Sequence, residues 1–173
     1  MAHHLRRAAV VTVSDRVAAR QAKDESGPRL AGLLAEAGWT VAAHEVTPDD
    51  AHAIAAVLRR LADDDAVPLV LTTGGTGLAP RDVTPDATRR IADREVPGIA
   101  EALRAASLGR TPHAMLSRAT AAIRGRTLVI NLPGSPGAIG QTFAALAPVL
   151  EHAVSLVTGA TPTAAEHRAA DRA

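Results

Sequence analysis

Leu71-Thr72-Thr73-Gly74-Gly75-Thr76-Gly77-Leu78-Ala79-Pro80-Arg81-Asp82-Val83-Thr84-Pro85-Asp86 leads from an apolar run, through a loop too rich in glycine for regular structure, into the start of a helix. The run from Val67 to Leu71 has the composition of a buried strand. Thr84, Pro85 and Asp86 predict the helix: a threonine cap, a proline at the first helical position and an acid in the first turn. Such a helix aims unpaired N–H groups into the loop, and Gly74, Gly75 and Gly77 lack the Cβ atoms that would keep a ligand away. The combination reads as a seat for a phosphate or another anion. A tight strand-to-helix turn needing one glycine would also fit, but it leaves Thr73, Thr76, Arg81 and Asp82 unexplained.

Two nucleotide motifs are excluded. A P-loop requires a lysine just after its last glycine, and Lys23 is the only lysine in the chain; nor is the dinucleotide pattern G-x-G-x-x-G present. A nucleotide here would need its positive charge from arginine or a metal.

The 173 residues suit one domain with a sizeable core. Trp39 and Phe143 are the only aromatics, which leaves no stacking platform for single-stranded nucleic acid. A net charge of +1 provides no footprint for nucleic acid or acidic membranes. Absence of cysteine rules out disulfides, thiolate metal sites and a cysteine nucleophile. Met1 to Arg7 shows no separate signal core, and no apolar stretch reaches the roughly 18 residues a membrane span needs. A cytoplasmic protein with no membrane or nucleic-acid partner is expected.

Outward from the loop, strands and helices alternate. Ala8 to Ser14 reads as a buried strand, followed by a polar loop from Asp15 to Gly27 and a helix from Pro28 that stops at Gly38. Trp39 to Val46 is a second strand. Thr47-Pro48-Asp49-Asp50 opens a helix with Ile54, Val57, Leu58 and Leu61 on its buried face, and Asp63-Asp64-Asp65 ends it in a solvated turn. The helix from Pro85 is expected to reach Asp93 or Arg94, with separate helices over 99–107 and 111–118. Strands over 120–123 and 127–131 flank Arg124-Gly125-Arg126. The last helix follows Asn131-Leu132-Pro133-Gly134-Ser135-Pro136-Gly137 and runs to about Val157, with a kink or break at Pro148. The pattern predicts an α/β fold, three-layer and doubly wound, its mainly parallel sheet carrying helices on both faces. Residues 1–160 form the domain and 161–173 a flexible tail. Ligands of such sheets lie beyond the carboxyl ends of the strands, where Ser14-Asp15, Asp49, Thr73 to Asp82 and Asn131 to Gly137 would meet.

A carboxylate in a phosphate-binding loop repels its ligand unless a cation lies between them, so Asp82 predicts Mg²⁺. Asp49 is a second candidate ligand, since magnesium is commonly held by one or two carboxylates plus substrate phosphates. Both have plainer uses: Asp82 could pair with Arg81 or cap a turn, and Asp49 suits a first helical turn. Ser135 and the N–H groups beyond it could hold another anion or form a rigid, capped turn. Ser14, Asp15, Ser26, Ser107 and Arg118 are polar positions with either reading open. The seven histidines show no metal-ligand spacing, and no G-x-S-x-G elbow supports a hydrolase.

Val11 to Arg16, Asp24-Glu25-Ser26-Gly27-Pro28, Leu71 to Asp86, Pro97-Gly98 with Glu101, Leu116-Ser117-Arg118 and Asn131 to Pro136 together resemble the MogA/MoaB proteins of molybdenum-cofactor biosynthesis, relatives of the gephyrin G domain. The likeness covers about residues 8–158, and the length favours the stand-alone form over longer insertase and competence-damage relatives. It implies Mg²⁺-ATP-dependent adenylylation of molybdopterin with release of pyrophosphate, a homotrimer, and hand-over to a molybdenum insertase. Asp49 and Asp82 fall on the family's catalytically important aspartates. Thr73, Gly74, Gly75, Thr76 and Gly77 fall on its nucleotide and pterin crevice, joined by Ser14, Asp15, Ser107, Asn131, Pro133, Gly134 and Ser135. One departure is Gly137, where many relatives carry a lysine. The competing reading is a non-catalytic MoaB-type carrier of molybdopterin; a generic nucleotide-sensing domain leaves the two distal turns unexplained.

Overall fold

The computed structural model describes residues 6–160. The flexible tail expected over 161–173 lies outside them. The described chain runs β1 (Arg7–Val13), α1 (Asp15–Ala18), α2 (Ser26–Glu36), β2 (Thr40–Thr47), α3 (Ala51–Asp63), β3 (Leu69–Thr73), α4 (Thr84–Ile91), β4 (Arg94–Glu95), α5 (Pro97–Leu108), a 3-10 turn (Pro112–Leu116), β5 (Ala121–Arg124), β6 (Thr127–Leu132) and α6 (Pro136–Thr158).

The six strands form one sheet in the order β2-β1-β3-β6-β5-β4. Pairs β1–β2, β1–β3 and β3–β6 are parallel, whereas β5 is antiparallel to both β6 and β4. Alternate residues of the central strands feed two cores. Ala8, Val10, Leu69, Leu71, Leu128 and Ile130 face α2, α5 and α6, packing on Leu30, Leu34, Leu103, Ile139 and Leu146. Ala9, Val11, Val70 and Val129 face α3 and α4, packing on Ile54, Leu58, Leu61 and Ile91. Strands buried on both faces read as continuous apolar runs, so the layers follow from composition. Each fully buried leucine or isoleucine contributes roughly 1.5–3 kcal/mol, and helices on both faces confirm the expected three-layer fold.

Local differences have identifiable causes. Ser14 Oγ accepts the Val17 N–H and nucleates α1 inside the stretch expected as loop. Asp50, rather than Thr47, caps α3, accepting the Ala53 N–H at 2.8 Å. Thr47 remains in β2, which leaves Asp49 outside the helix, between strand and cap. The helix expected to reach Asp93 stops at Ile91, because Arg94 and Glu95 pair with β5 as a two-residue strand. α6 passes through Pro148 without a break, its buried stripe running on to Leu150 and Val154. Asp63 is bound rather than merely solvated: the Arg124 guanidinium lies 2.5 Å away, clamps the end of α3 to β5 and holds the carboxyl below the usual carboxylate range. Among the described residues no helix is long and apolar enough to cross a membrane.

Asn131 ties the middle of the sheet to α4. Its amide donates to Thr72 Oγ1 at 3.0 Å and Thr88 Oγ1 at 2.9 Å, and its oxygen accepts the Thr120 N–H at 3.3 Å. The residue is 0% exposed, so water cannot replace these partners. Asn131→Leu is expected to lower unfolding stability by about 2–4 kcal/mol in urea titration; a loss below about 1 kcal/mol would contradict this assignment.

Candidate functional site

Strand order reverses between β1 and β3, where connections leave the sheet in opposite directions. That is the switch point at which open α/β sheets bind ligands. The ends of β1, β2, β3 and β6 are stitched together there by the backbone. Ser14 donates its N–H to Thr47 O at 2.9 Å and Gly74 donates to Leu132 O at 3.2 Å. Thr73 Oγ1 donates to Pro133 O at 2.8 Å.

The glycine loop passes very close to both neighbouring strand ends. Gly74 has φ +101°, and a Cβ there would lie 2.3 Å from Val13 O. A Cβ on Gly134 would lie 3.1 Å from the Gly74 Cα. Thr84 fastens the far side of the loop: its N–H donates to Gly75 O at 3.1 Å and its hydroxyl to Gly74 O at 2.9 Å. Thr84 is therefore the first residue of α4 and a tether for the loop, not the side-chain cap expected from sequence.

Asp49 and Asp82 come to this same loop from different parts of the chain. Asp49 Oδ1 is 3.2 Å from the position a Cβ would take on Gly75, and Asp82 Oδ2 is 2.8 Å from the corresponding position on Gly77. Each carboxylate is anchored through one oxygen. Asp49 Oδ2 accepts the Asp15 N–H at 2.8 Å, while Asp15 Oδ1 accepts the Asp49 N–H at 2.9 Å, a reciprocal clasp between the ends of β1 and β2. Asp82 Oδ2 accepts the Ala79 N–H at 2.8 Å. Among the described residues, Asp49 Oδ1 and Asp82 Oδ1 take no hydrogen bond. Both residues are partly exposed. Asp82 makes no ion pair with Arg81, and its turn-closing bond leaves one oxygen available for a cation.

Two cavities, each of about 260 Å³, border the loop. The first is apolar and is lined by Ala100, Leu103, Ala114 and Leu116, with Thr76, Gly77, Ser107 and Pro133 at its wall. The second is polar and is lined by Ser14, Lys23, Asp24, Ser26, Gly74 and Gly134. Asp15, Asp49, Gly75, Asp82 and Ser135 border neither cavity. Ser135 stands exposed at the start of α6 and makes no side-chain cap bond. Thr73 and Asn131, candidate binding residues by sequence, have their side chains buried and engaged with Pro133, Thr72 and Thr88. They shape the crevice and have no free group to offer. Arg118 is held as well, at 2.5 Å from Asp86 and through Asp82 O.

Divalent metal suits the donor set only in part. Among the described residues no three His, Asp or Glu side chains converge on one ion. Asp49 and Asp82 could supply two hard oxygens, leaving the remaining positions of a magnesium shell to water and substrate.

The model of the family described as "Probable molybdopterin binding domain" matches residues 9–152. A molybdopterin adenylyltransferase of Haemophilus influenzae is 46% identical over 136 residues, covering 78% of this chain and 69% of that protein. The crystal structure of the molybdopterin biosynthesis enzyme MoaB from Thermus thermophilus superposes with a TM-score of 0.84 at 50% identity, covering 88% of this chain and 96% of that one. The chain spans only 25% of another relative, the molybdenum cofactor synthesis protein cinnamon of Drosophila melanogaster, at 40% identity. A molybdopterin-binding α/β domain is thus the class defined. Within it, the chain belongs to the MogA/MoaB family of molybdenum-cofactor biosynthesis.

Gly74→Ala places a methyl against Val13 O at a φ that side chains disfavour, and is expected to destabilise by about 2–4 kcal/mol. Gly98, where a Cβ meets nothing within 4 Å, provides the contrast. Gly98→Ala should change stability by less than about 1 kcal/mol, in the stabilising direction. Equal thermal shifts for the two variants would contradict the close approach.

Proposed function

We propose that the protein is a molybdopterin adenylyltransferase, joining the adenylyl group of ATP to molybdopterin and releasing pyrophosphate. The observation that supports this most is the placing of Asp49 and Asp82 against one glycine loop that borders an apolar cavity and a second one lined by charged and hydroxyl side chains. An apolar cavity suits a flat ring, and a polar one suits phosphates.

In this reading a terminal phosphate oxygen of the pterin attacks the α-phosphorus of ATP, and the bond to the β-phosphate oxygen breaks as pyrophosphate leaves. The glycine loop and the start of α6 orient phosphates through backbone N–H groups, so alignment supplies much of the rate. Asp49 and Asp82 would hold Mg²⁺, which neutralises phosphate charge as the leaving group departs. Asp15 acts through its clasp with Asp49, fixing that carboxylate beside Gly75. Ser14, Thr76, Gly77, Ser107, Pro133 and Gly134 form substrate walls, and Gly75 and Ser135 flank them.

A homotrimer working in the cytoplasm and passing its product to a molybdenum insertase completes the proposal. Exposed Leu108, Met115 and Leu116 provide apolar surface for assembly to cover. The second reading, a non-catalytic molybdopterin carrier, is favoured by Gly137 and by the engagement of Arg118 with Asp86.

Incubation with molybdopterin, ATP and Mg²⁺, followed by chromatography for adenylylated pterin, separates the two. Asp82→Asn should still bind molybdopterin but lose at least about 10²-fold in pyrophosphate release. Undiminished turnover would remove Asp82 from the mechanism, and pterin binding without any transfer by the native protein would favour the carrier.

A further inference from the structure

Lys23, far from the glycine loop in sequence, borders the polar cavity together with Gly74 and Gly134. It is the only lysine in the chain and, among the described residues, the only cation on that cavity's wall. Among the described residues it forms no ion pair, whereas Arg118 is held by Asp86 and Arg104 is turned to Ala119 O.

The backbone that carries Lys23 is fixed by its neighbour. Asp24 Oδ2 accepts from Thr12 Oγ1 at 2.8 Å and lies 3.1 Å from His44 Nε2, while Asp24 Oδ1 accepts the Gly27 N–H at 2.9 Å. Thr12 is on β1 and His44 on β2, so this bend is fastened to two strands and to the start of α2. Asp24 is 13% exposed at its side chain, which shields these bonds from water. Gly27 is required at the knot, since a Cβ there would come within 2.1 Å of His44 Nε2. The fixed main chain beside an unpaired ammonium on a four-carbon stem makes a cation that can reach across the cavity.

Charge balance gives that cation a use. Asp24 and Glu25 also line the cavity, so a polyanion entering meets two carboxylates and one ammonium there. We infer that Lys23 is the phosphate-binding cation of the site, its ammonium pairing with a phosphate group of the substrate lodged in the polar cavity. The inference rests on the transferase reading and names one of its substrate contacts. Lys23 contributes to binding rather than to the bond-making step, because it borders the cavity and not the Asp49–Asp82 loop edge.

Lys23→Met and Lys23→Arg in the full chain test this. Lys23→Met should raise KM for Mg-ATP or for molybdopterin about five- to tenfold while kcat stays within about twofold, and Lys23→Arg should restore most of the loss. The substrate whose KM rises identifies the phosphate against Lys23. Calorimetry with Mg-pyrophosphate should show a matching loss of affinity in Lys23→Met and recovery in Lys23→Arg. Active native protein with unchanged KM for both substrates and unchanged pyrophosphate affinity in Lys23→Met would overturn the assignment and leave the transferase reading intact. Lys23-dependent pyrophosphate binding without adenylylated pterin would keep the assignment and defeat the reading. Native protein showing neither binding nor transfer would defeat both.

Discussion

The close approach of Gly74 to the Val13 carbonyl and to Gly134 is the constraint on which the site depends. Three segments from distant parts of the chain meet there, and between Gly74 and Val13 the separation excludes even one methyl group. Hydrogen bonds from Gly74, Thr73 and Thr84 then fix the loop on every side. Because the backbone sets these distances, the Asp49 carboxylate reaching Gly75 from β2's end and the Asp82 carboxylate folding back on Gly77 from within the loop meet a fixed edge. Preorganisation of this kind is what phosphoryl chemistry demands, since positioning supplies most of the catalysis.

Around that edge the electrostatics are one-sided. Asp15, Asp49 and Asp82 gather at the strand ends, while several arginines are engaged in ion pairs: Arg118 with Asp86, Arg124 with Asp63, and Arg60 with Glu45 and Asp65. A phosphate-bearing substrate entering such a region needs cations, and Arg118 is already committed to Asp86. A divalent ion on the free carboxylate oxygens and the ammonium of Lys23 are the two sources the proposals name. The clasp between Asp15 and Asp49 shows that these carboxylates hold strand ends together, beside the role proposed for Asp49 with a metal.

The sheet is legible in the chain because strands buried on both faces read as apolar runs, as Ala8 to Val11 and Leu69 to Leu71 do. The glycine loop is legible because its three glycines exceed what a simple turn requires. Other features depend on distant partners that no local pattern records. Thr84 has the composition of a cap, but its hydroxyl goes to Gly74 O because the loop folds back over the helix start. Asn131 sits in a motif that suggests ligand binding, yet β6 directs its amide inward to Thr72 and Thr88. The tie between Asp24, Thr12, His44 and Gly27 joins β1, β2 and α2 across separations that spacing alone does not reveal. Of the kink or break expected at Pro148, the break does not occur: α6 keeps an apolar stripe on both sides of the proline, and tertiary packing outweighs one lost hydrogen bond.

Crystals soaked with Mn²⁺ and a non-hydrolysable ATP analogue, with data collected at the manganese edge, test the central claim most directly. An anomalous peak at the glycine loop, liganded by Asp49 and Asp82 oxygens and by phosphate, is the expected result. Manganese bound elsewhere, or phosphates seated there with both carboxylates still metal-free, would contradict the account.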